Sequence, residues 1–239
     1  MWDMKTLMEE TQNLIGLSLT PYQISQLKRY RQELEIWNER YSLTAIHDPE
    51  KVRVKHFLDS FSCYLAMENT AIENLIDVGS GPGFPGIPLK ILLPELKVTL
   101  VDSVRKKTDF CQHIIDVLNL EGIVVKRERA ERLANDPRYR EKYDWAVARA
   151  VAHLSELSEY LIPFVRLGGR MLAMKGDSGP AEAHEASEAI KLLGGELSRV
   201  RHLTLPGVAE NRYLVVVEKK ASTPDRFPRR VGIPQKRPL

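Results

Sequence analysis

The chain contains the segment Leu75-Ile76-Asp77-Val78-Gly79-Ser80-Gly81-Pro82-Gly83-Phe84-Pro85-Gly86. An apolar run that includes one acid is followed at once by a turn with a glycine at every second or third position. Glycine adopts backbone conformations that other residues avoid, and it lets a ligand approach the main chain closely. A strand that enters such a turn before a helix is typical of α/β proteins that bind nucleotides or related cofactors.

A second acid follows the next apolar run. Asp102 comes directly after residues 98–101, about 20 residues beyond the glycines, which is the separation at which Rossmann-type sites bind a ribose hydroxyl. Asp77, just before the first glycine, would repel the pyrophosphate of a nicotinamide cofactor. S-adenosylmethionine instead carries a sulfonium and an ammonium group. The two acids therefore predict S-adenosylmethionine as the cofactor and disfavour a nicotinamide oxidoreductase.

Apolar runs alternate with amphipathic helical stretches over residues 75–173, which predicts a parallel sheet with helices on both faces. Two later runs, residues 203–205 and 213–218, are separated by a short turn that contains Pro206-Gly207. Such a turn is too short for a helical crossover, so these strands are expected to pair antiparallel. The predicted fold is a class I Rossmann-like methyltransferase with a mostly parallel seven-stranded sheet and an antiparallel C-terminal hairpin. The five parallel strands are expected at residues 75–78, 98–101, 123–125, 145–148 and 171–173.

Residues 1–68 carry helical signals. Thr20-Pro21-Tyr22-Gln23 matches a capping box, and Asp48-Pro49 marks a second helix start. This region is expected to be an N-terminal helical cap packed on the core, because it is short for a separately folding domain. The methyltransferase domain then spans residues 69–220, and residues 221–239 form a basic, proline-rich tail.

Charge is distributed unevenly although the net charge is only +3. The segment from Lys219 onward has a single acid, Asp225. A basic tail can follow a polyanion such as RNA, because each neutralised phosphate releases counterions. The alternative is a solvated terminus. The basic residues of this segment are Lys219, Lys220, Arg226, Arg229, Arg230, Lys236 and Arg237.

The composition excludes several classes of protein. Cys63 and Cys111 are the only cysteines and form no CxxC or Cys/His cluster, so we expect buried packing cysteines, no disulfide scaffold and no metal site. The apolar runs are too short to cross a bilayer, and residues 1–5 do not begin a signal peptide. We therefore expect a cytoplasmic protein without a membrane partner, and we expect it to be a monomer.

Family-specific motifs occur along nearly the whole chain. They resemble those of the bacterial small-subunit (16S) rRNA guanine-N7 methyltransferase family, historically called glucose-inhibited division protein B. Ser42 is a departure, since relatives usually have asparagine before Leu-Thr. Besides the glycine segment, the motifs are Leu43-Thr44-Ala45-Ile46, Lys55-His56-Phe57-Leu58-Asp59-Ser60, Val101-Asp102-Ser103 with Lys106-Lys107, Arg129-Ala130-Glu131, Ala148-Arg149-Ala150-Val151-Ala152, Lys175-Gly176 and the closing segment from Pro228-Arg229-Arg230 to Pro238-Leu239.

The resemblance implies roles for individual residues. Arg149 is expected to contact the cofactor and to position the reactants; a surface ion pair is the alternative. Lys175 is expected either to bind a substrate phosphate or to be simply exposed, and Arg229 and Arg230 are further candidates for substrate binding. The cofactor-binding set is Gly79, Gly81 and Phe84 in the glycine segment, Asp102 near the ribose, Ala130 and Glu131 beside the adenine, and Arg149.

The implied reaction transfers a methyl group to N7 of a guanine, at expected position 527 in the 530 loop of 16S rRNA. N7 carries a lone pair and no proton, so no general base is required. Consistently, Ala148-Arg149-Ala150 stands where exocyclic-amine methyltransferases tend to carry an Asn/Asp-Pro-Pro-aromatic motif. The partner is then 16S rRNA or the small subunit. Alternatives are a methyltransferase for a small molecule or another RNA, and a noncatalytic RNA-binding module.

Two further groups of residues carry expectations. His56 and Asp59 share one helix face, and we interpret them as partners in a helix cap or an interdomain hydrogen bond instead of a catalytic dyad. A cluster of cations is expected to contact phosphates of the RNA together with the tail. It comprises Lys126, Arg127, Arg129 and Arg132.

Overall fold

The computed structural model describes residues 4–68, 70, 72–149 and 151–239, so residues 1–3 of the expected amino terminus and Ala150 of the fourth-strand motif lie outside the described part. Within that part, one sheet has the strand order β3-β2-β1-β4-β5-β7-β6. β1 to β5 are parallel, and β7 runs antiparallel between β5 and β6. The predicted fold is confirmed. The strands are β1 Asn74–Val78, β2 Lys97–Asp102, β3 Ile123–Arg127, β4 Tyr143–Arg149, β5 Val165–Lys175, β6 Gly195–Leu203 and β7 Arg212–Lys219.

Helices cover both faces of the sheet and form the N-terminal cap. A π-helix, Arg53–Leu58, and a 3₁₀ turn, Ile162–Phe164, interrupt the α-helical elements. The α-helices are α1 Met4–Ile15, α2 Pro21–Tyr41, α3 Pro49–Val52, α4 Asp59–Ser62, α5 Tyr64–Met67, α6 Gly86–Leu92, α7 Arg105–Val117, α8 Ala130–Leu133, α9 Leu154–Leu161, α10 Gly179–Glu185, α11 Ser187–Leu192 and α12 Ile233–Lys236.

The centre of the sheet places the glycine segment. β1 and β4 are buried along almost their whole length, as expected for strands covered on both faces. They are neighbours, and β1 pairs with β2 on its other side. The chain order of the strands reverses at β1 and β4, which is where open α/β sheets bind ligands beyond the carboxyl ends of their strands. Asp77, Asp102 and Arg149 all lie at this edge.

The N-terminal cap is tied to the sheet by α2. The predicted capping box is present: Gln23 donates its main-chain N–H to the Thr20 hydroxyl, and its side chain accepts from the Thr20 N–H. The Gln23 amide also donates to the carbonyls of Ile91 and Leu92, the last two residues of α6. Tyr30 donates its hydroxyl to the Pro82 carbonyl at 2.5 Å. Helices of the cap and of the sheet therefore share one hydrophobic core.

The prediction for β6 is wrong in position. The strand covers Gly195–Leu203, whereas residues 204 and 205 belong to the following turn. β6 is an edge strand, and residues 196–200 are exposed. An exposed edge strand has little hydrophobic alternation, so the main-chain hydrogen bonds to β7 define it instead of an apolar pattern.

The C-terminal tail is packed against the domain, so a freely solvated terminus is excluded. Phe227 is buried in a second hydrophobic core, separate from the one that the cap and the sheet share. Arg140 holds the tail by donating to the carbonyls of Thr223 and Phe227 at 2.8 Å each. Lys219 is also buried, where it pairs with Glu141, and burial lowers its pKa to about 8.

Three further expectations concern the cysteines, metal-binding clusters and membrane-spanning helices. Cys63 and Cys111 are both free and buried, as predicted. No group of three or more metal-binding side chains occurs among the described residues. In the same part of the chain, every helix is too short or too polar to span a membrane.

Candidate cofactor and substrate site

Two cavities meet at the carboxyl edge of the sheet. The acidic cavity is lined by residues that include Asp102, Glu128, Glu131 and Glu156. The basic cavity lies towards the N-terminal cap. Gly79 lines both cavities, so the two adjoin at the glycine turn. Cations outnumber acids in the lining of the basic cavity: Lys55, Lys107, Arg149, Lys175 and Arg212 lie there beside Asp59 and Glu182.

The glycine turn fits a ligand that contacts the main chain. Gly79 has a φ of 71° and Gly81 a φ of 57°, which other residues rarely adopt. A Cβ atom on Gly79 would lie 2.6 Å from a methyl group of Val151, whereas the space beside Gly81 is open. Gly79 is therefore required by close packing and Gly81 by its backbone conformation.

Asp102 braces the glycine turn. One carboxylate oxygen accepts the Gly81 N–H at 3.0 Å, and the other accepts the Val104 N–H at 2.8 Å. Asp102 also lines the acidic cavity, as the ribose prediction requires. Because each carboxylate oxygen accepts more than one hydrogen bond, these contacts leave acceptor capacity for a ribose hydroxyl.

Asp77 lies behind the glycine turn and is fully buried. Its Oδ2 accepts the Gly86 N–H at 2.8 Å, whereas Oδ1 has no partner among the described residues. Burial raises the pKa of this carboxyl to about 7; the Gly86 N–H and the Arg149 charge oppose that shift. An unpartnered buried carboxylate oxygen favours a nearby cation. The residues that line the two cavities do not include Asp77, so its carboxyl lies beneath the glycine turn and acts on the site only through that turn and the charge.

Arg149, at the end of β4, connects the sheet to the cap. Its NH1 group donates to the Lys55 carbonyl at 2.9 Å and to Oδ2 of Asp59 at 3.1 Å. Its guanidinium carbon lies 5.2 Å from the ring centre of Phe84. The Arg149 side chain is only 15% exposed, so it is not the surface ion pair that was the alternative. The guanidinium retains N–H donors, and the residue lines the basic cavity.

His56 is held in one tautomer by its two neighbours. Its Nδ1 lies 3.1 Å from NH2 of Arg149, and since arginine has only donors, Nδ1 accepts. Nε2 then carries the proton and donates to the Thr44 hydroxyl at 3.0 Å. The imidazole ring also stacks on Phe84, with centres 4.4 Å apart. Burial and the Arg149 charge lower the His56 pKa to about 3, so the ring is neutral at physiological pH.

Asp59 contacts the same arginine from the cap. Its pKa is raised by burial, although Arg149 and Arg212 counteract the rise. Both His56 and Asp59 therefore bind a residue of the sheet, which confirms their interpretation as interdomain hydrogen-bond partners. Arg212 Nε lies 3.5 Å from Oδ1 of Asp59 and brings a second cation to the basic cavity.

The predicted substrate-binding residues are not brought together. Lys175 lines the basic cavity, but it donates to the Ala152 carbonyl at 2.7 Å and pairs with Glu182 at 2.5 Å. Arg229 forms a bidentate pair with Glu159, whose side chain is fully buried. Arg230 is exposed. The residues that line the two cavities include neither Arg229 nor Arg230.

Ala130 and Glu131 line the acidic cavity, where the adenine was expected. Among the residues of this cavity that sequence reasoning missed are Glu156, Tyr160 and Gln235. Tyr160 donates its hydroxyl to Glu156 at 2.7 Å. These two residues lie four positions apart on α9, which follows β4. Because this helix begins at the same sheet edge as the glycine turn, its position in the sequence could have indicated that its side chains face the cofactor. Gln235 gave no such signal.

Comparison with known proteins finds relatives of this chain over nearly its whole length. Residues 23–213 match the family described as rRNA small subunit methyltransferase G. A ribosomal RNA small subunit methyltransferase G from Roseiflexus castenholzii is 51% identical over 224 residues, which cover 94% of this chain and 95% of that protein. The corresponding protein of Chloroflexus aggregans is 47% identical over 234 residues and covers 98% and 97% of the two chains.

Solved structures show the same fold at low sequence identity. A SAM-dependent methyltransferase from Aquifex aeolicus aligns with a TM-score of 0.55 and 16% identity, over 74% of this chain and 96% of that one. A 16S rRNA (adenine(1408)-N(1))-methyltransferase from Catenulisporales acidiphilia aligns with a TM-score of 0.51 and 14% identity, over 67% and 91%. From the family match and the near full-length relatives, the chain belongs to the rRNA small subunit methyltransferase G family.

Proposed function

We propose that this protein transfers the methyl group of S-adenosylmethionine to N7 of a guanine in small-subunit rRNA, at position 527 in the 530 loop. The observation that carries the proposal is the junction of the two cavities at Gly79. It joins an acidic cavity suited to adenosine to a cation-lined cavity suited to a nucleotide of RNA. The small-subunit rRNA substrate is supported by the names of the relatives.

The cofactor fits across this junction. Asp102 would accept from the ribose, and Ala130 with Glu131 would lie beside the adenine. Gly79 and Gly81 would let the methionine end pass towards Phe84 and Arg149, near the buried Asp77 carboxyl. Bound S-adenosylmethionine supplies an electrophilic methyl group.

The residues around the basic cavity support catalysis by positioning. Guanine N7 has a free lone pair, so the reaction needs alignment of the nucleophile with the methyl group and no proton removal. His56 is neutral, and both of its ring nitrogens are occupied by Arg149 and Thr44. Arg149 is held by Lys55, Asp59 and His56, and it lines the basic cavity with N–H donors to spare. We assign it the role of orienting the base or the cofactor.

Cations near the site support RNA binding. Lys55, Lys107 and Arg212 line the basic cavity. Lys175 would reach a phosphate from the same cavity if the phosphate competed with Glu182. A protein that acts on ribosomal RNA in this way belongs in the cytoplasm, where we expect it to act as a monomer. Outside the cavities, further exposed cations lie in β3, in α8 and in the tail. These outer cations are Arg127, Arg132 and Arg230, whereas the exposed Arg129 lines the acidic cavity.

The proposal is tested with S-adenosylmethionine that carries a labelled methyl group. The protein is offered unmodified 16S rRNA, assembled small subunits and a pool of small metabolites. We expect label in the RNA of at least one of the first two samples. Arg149→Ala should reduce the rate at least a hundredfold, while cofactor-free thermal melting shows that the variant is folded. Label in the metabolite pool alone would contradict the proposal.

A further inference from the structure

The C-terminal turn forms part of the wall of the acidic cavity. Gln235 lines this cavity together with Glu131 and Tyr160, and its side chain is exposed to the open space. It belongs to α12, the short helix at the end of the tail. The tail, for which RNA binding or a solvated terminus was expected, therefore contributes a polar side chain to the cavity predicted to hold adenosine.

The position of Gln235 is fixed by contacts to the helices that line the same cavity. The Gly232 N–H donates to the buried Glu131 carboxylate in α8 at 3.0 Å. Arg229 pairs with the buried Glu159 of α9, and its main-chain N–H donates to the same carboxylate at 2.7 Å. The turn is thus bound to both α8 and α9 immediately before Gln235.

We propose that Gln235 is a cofactor-binding residue that hydrogen-bonds the adenine edge of S-adenosylmethionine. An amide offers a donor and an acceptor side by side, which matches the amino group and the adjacent ring nitrogen of adenine. Glu131, the predicted neighbour of the adenine, is the residue to which the turn is bound. The inference rests on the cofactor assignment in the proposed function, but not on the identity of the methylated atom.

The first test measures binding of S-adenosylhomocysteine by calorimetry, without any RNA. Gln235→Ala should weaken binding about three- to tenfold, the effect of losing one or two hydrogen bonds. The matched control is Lys236→Ala, because Lys236 is exposed in the same turn but does not line the cavity. We expect the affinity of the control to be unchanged.

The second arm uses S-inosylhomocysteine, in which the adenine amino group is replaced by a carbonyl oxygen. The wild-type protein should prefer the adenine form, and Gln235→Ala should lose most of this preference. An unchanged affinity or an unchanged preference in Gln235→Ala would overturn the inference. If the wild-type protein binds neither compound, the cofactor assignment itself fails, which is a distinguishable result.

A third arm tests the turn through its backbone. Gly232 has a φ of 79°, and a Cβ atom there would contact nothing within 4 Å. Gly207, in the turn between β6 and β7, has a φ of 66° and equally open space. Gly232→Ala and Gly207→Ala should therefore lose similar thermal stability, but only Gly232→Ala should weaken S-adenosylhomocysteine binding. Equal affinities in the two variants would overturn the role of the turn.

Discussion

Arg149 is the residue at which the sheet, the cap and the basic cavity meet. It donates hydrogen bonds to the Lys55 carbonyl, Asp59 and His56, which lie 90 to 94 positions earlier in the chain. Because these contacts hold the guanidinium beside Phe84, the arginine is positioned before any ligand binds. Preorganisation of this kind is what an alignment mechanism requires.

Asp77→Asn separates stability from cofactor binding. The native carboxyl has one unpartnered oxygen and a raised pKa, so its charged form destabilises the fold at neutral pH. The amide keeps an acceptor for the Gly86 N–H and removes the charge. We expect the free energy of unfolding at pH 8 to rise by about 1–3 kcal/mol, measured by urea denaturation. Affinity for S-adenosylmethionine should fall, and an unchanged affinity would remove Asp77 from the site.

His56 gives the protein a defined sensitivity to acid. Its folded-state pKa of about 3 lies below the unfolded value of 6.5, so the unfolded state binds a proton that the folded state does not. Stability that is present above pH 6.5 is therefore lost as the pH falls from 6.5 towards 3. In His56→Asn, the loss of unfolding free energy between pH 6.5 and pH 4.5 should be smaller, as measured by denaturation at each pH. Identical pH profiles would contradict this assignment.

At the scale of elements, the tail belongs to the folded domain. Arg229→Ala leaves the fully buried Glu159 carboxylate without its bidentate partner. Removal of one partner of a buried pair costs about 3–5 kcal/mol, and because Arg229 is partly exposed we expect a value near the lower end, measured by thermal or urea denaturation. Arg230→Ala is the matched control, since Arg230 is exposed, and its stability should change by less than about 0.5 kcal/mol. Equal stabilities would show that the pair contributes nothing.

The elements also show which features the sequence reveals. β1 and β4 were predictable because they are buried apolar runs. The glycine segment was predictable because its repeated glycines lie between a strand and a helix. The exposed edge strand β6 was not, because its hydrogen bonds to β7 leave no apolar alternation. The contact from Gly232 to Glu131 spans 101 residues and uses a main-chain N–H, so no local pattern could indicate it. Gln235 was missed for the same reason.

At the scale of the whole molecule, the cations near β3 and α8 are predicted to follow the RNA backbone. Arg127→Gln and Arg132→Gln should each weaken RNA binding and make log K less steep against log salt concentration by about 0.7 per lost phosphate contact. Binding is measured by filter retention at several salt concentrations. The stability and the cofactor affinity should not change. A salt dependence equal to that of the wild type would place the RNA elsewhere on the surface.

The central claim is methyl transfer to guanine N7, and it is tested most directly by identifying the modified nucleoside. Unmodified 16S rRNA or small subunits are incubated with the protein and labelled S-adenosylmethionine, and the RNA is then digested and separated. We predict that the label is in 7-methylguanosine and that chemical cleavage at this base maps it to the 530 loop. Label in a nucleoside methylated on an exocyclic amine, a ring carbon or a ribose would contradict the account.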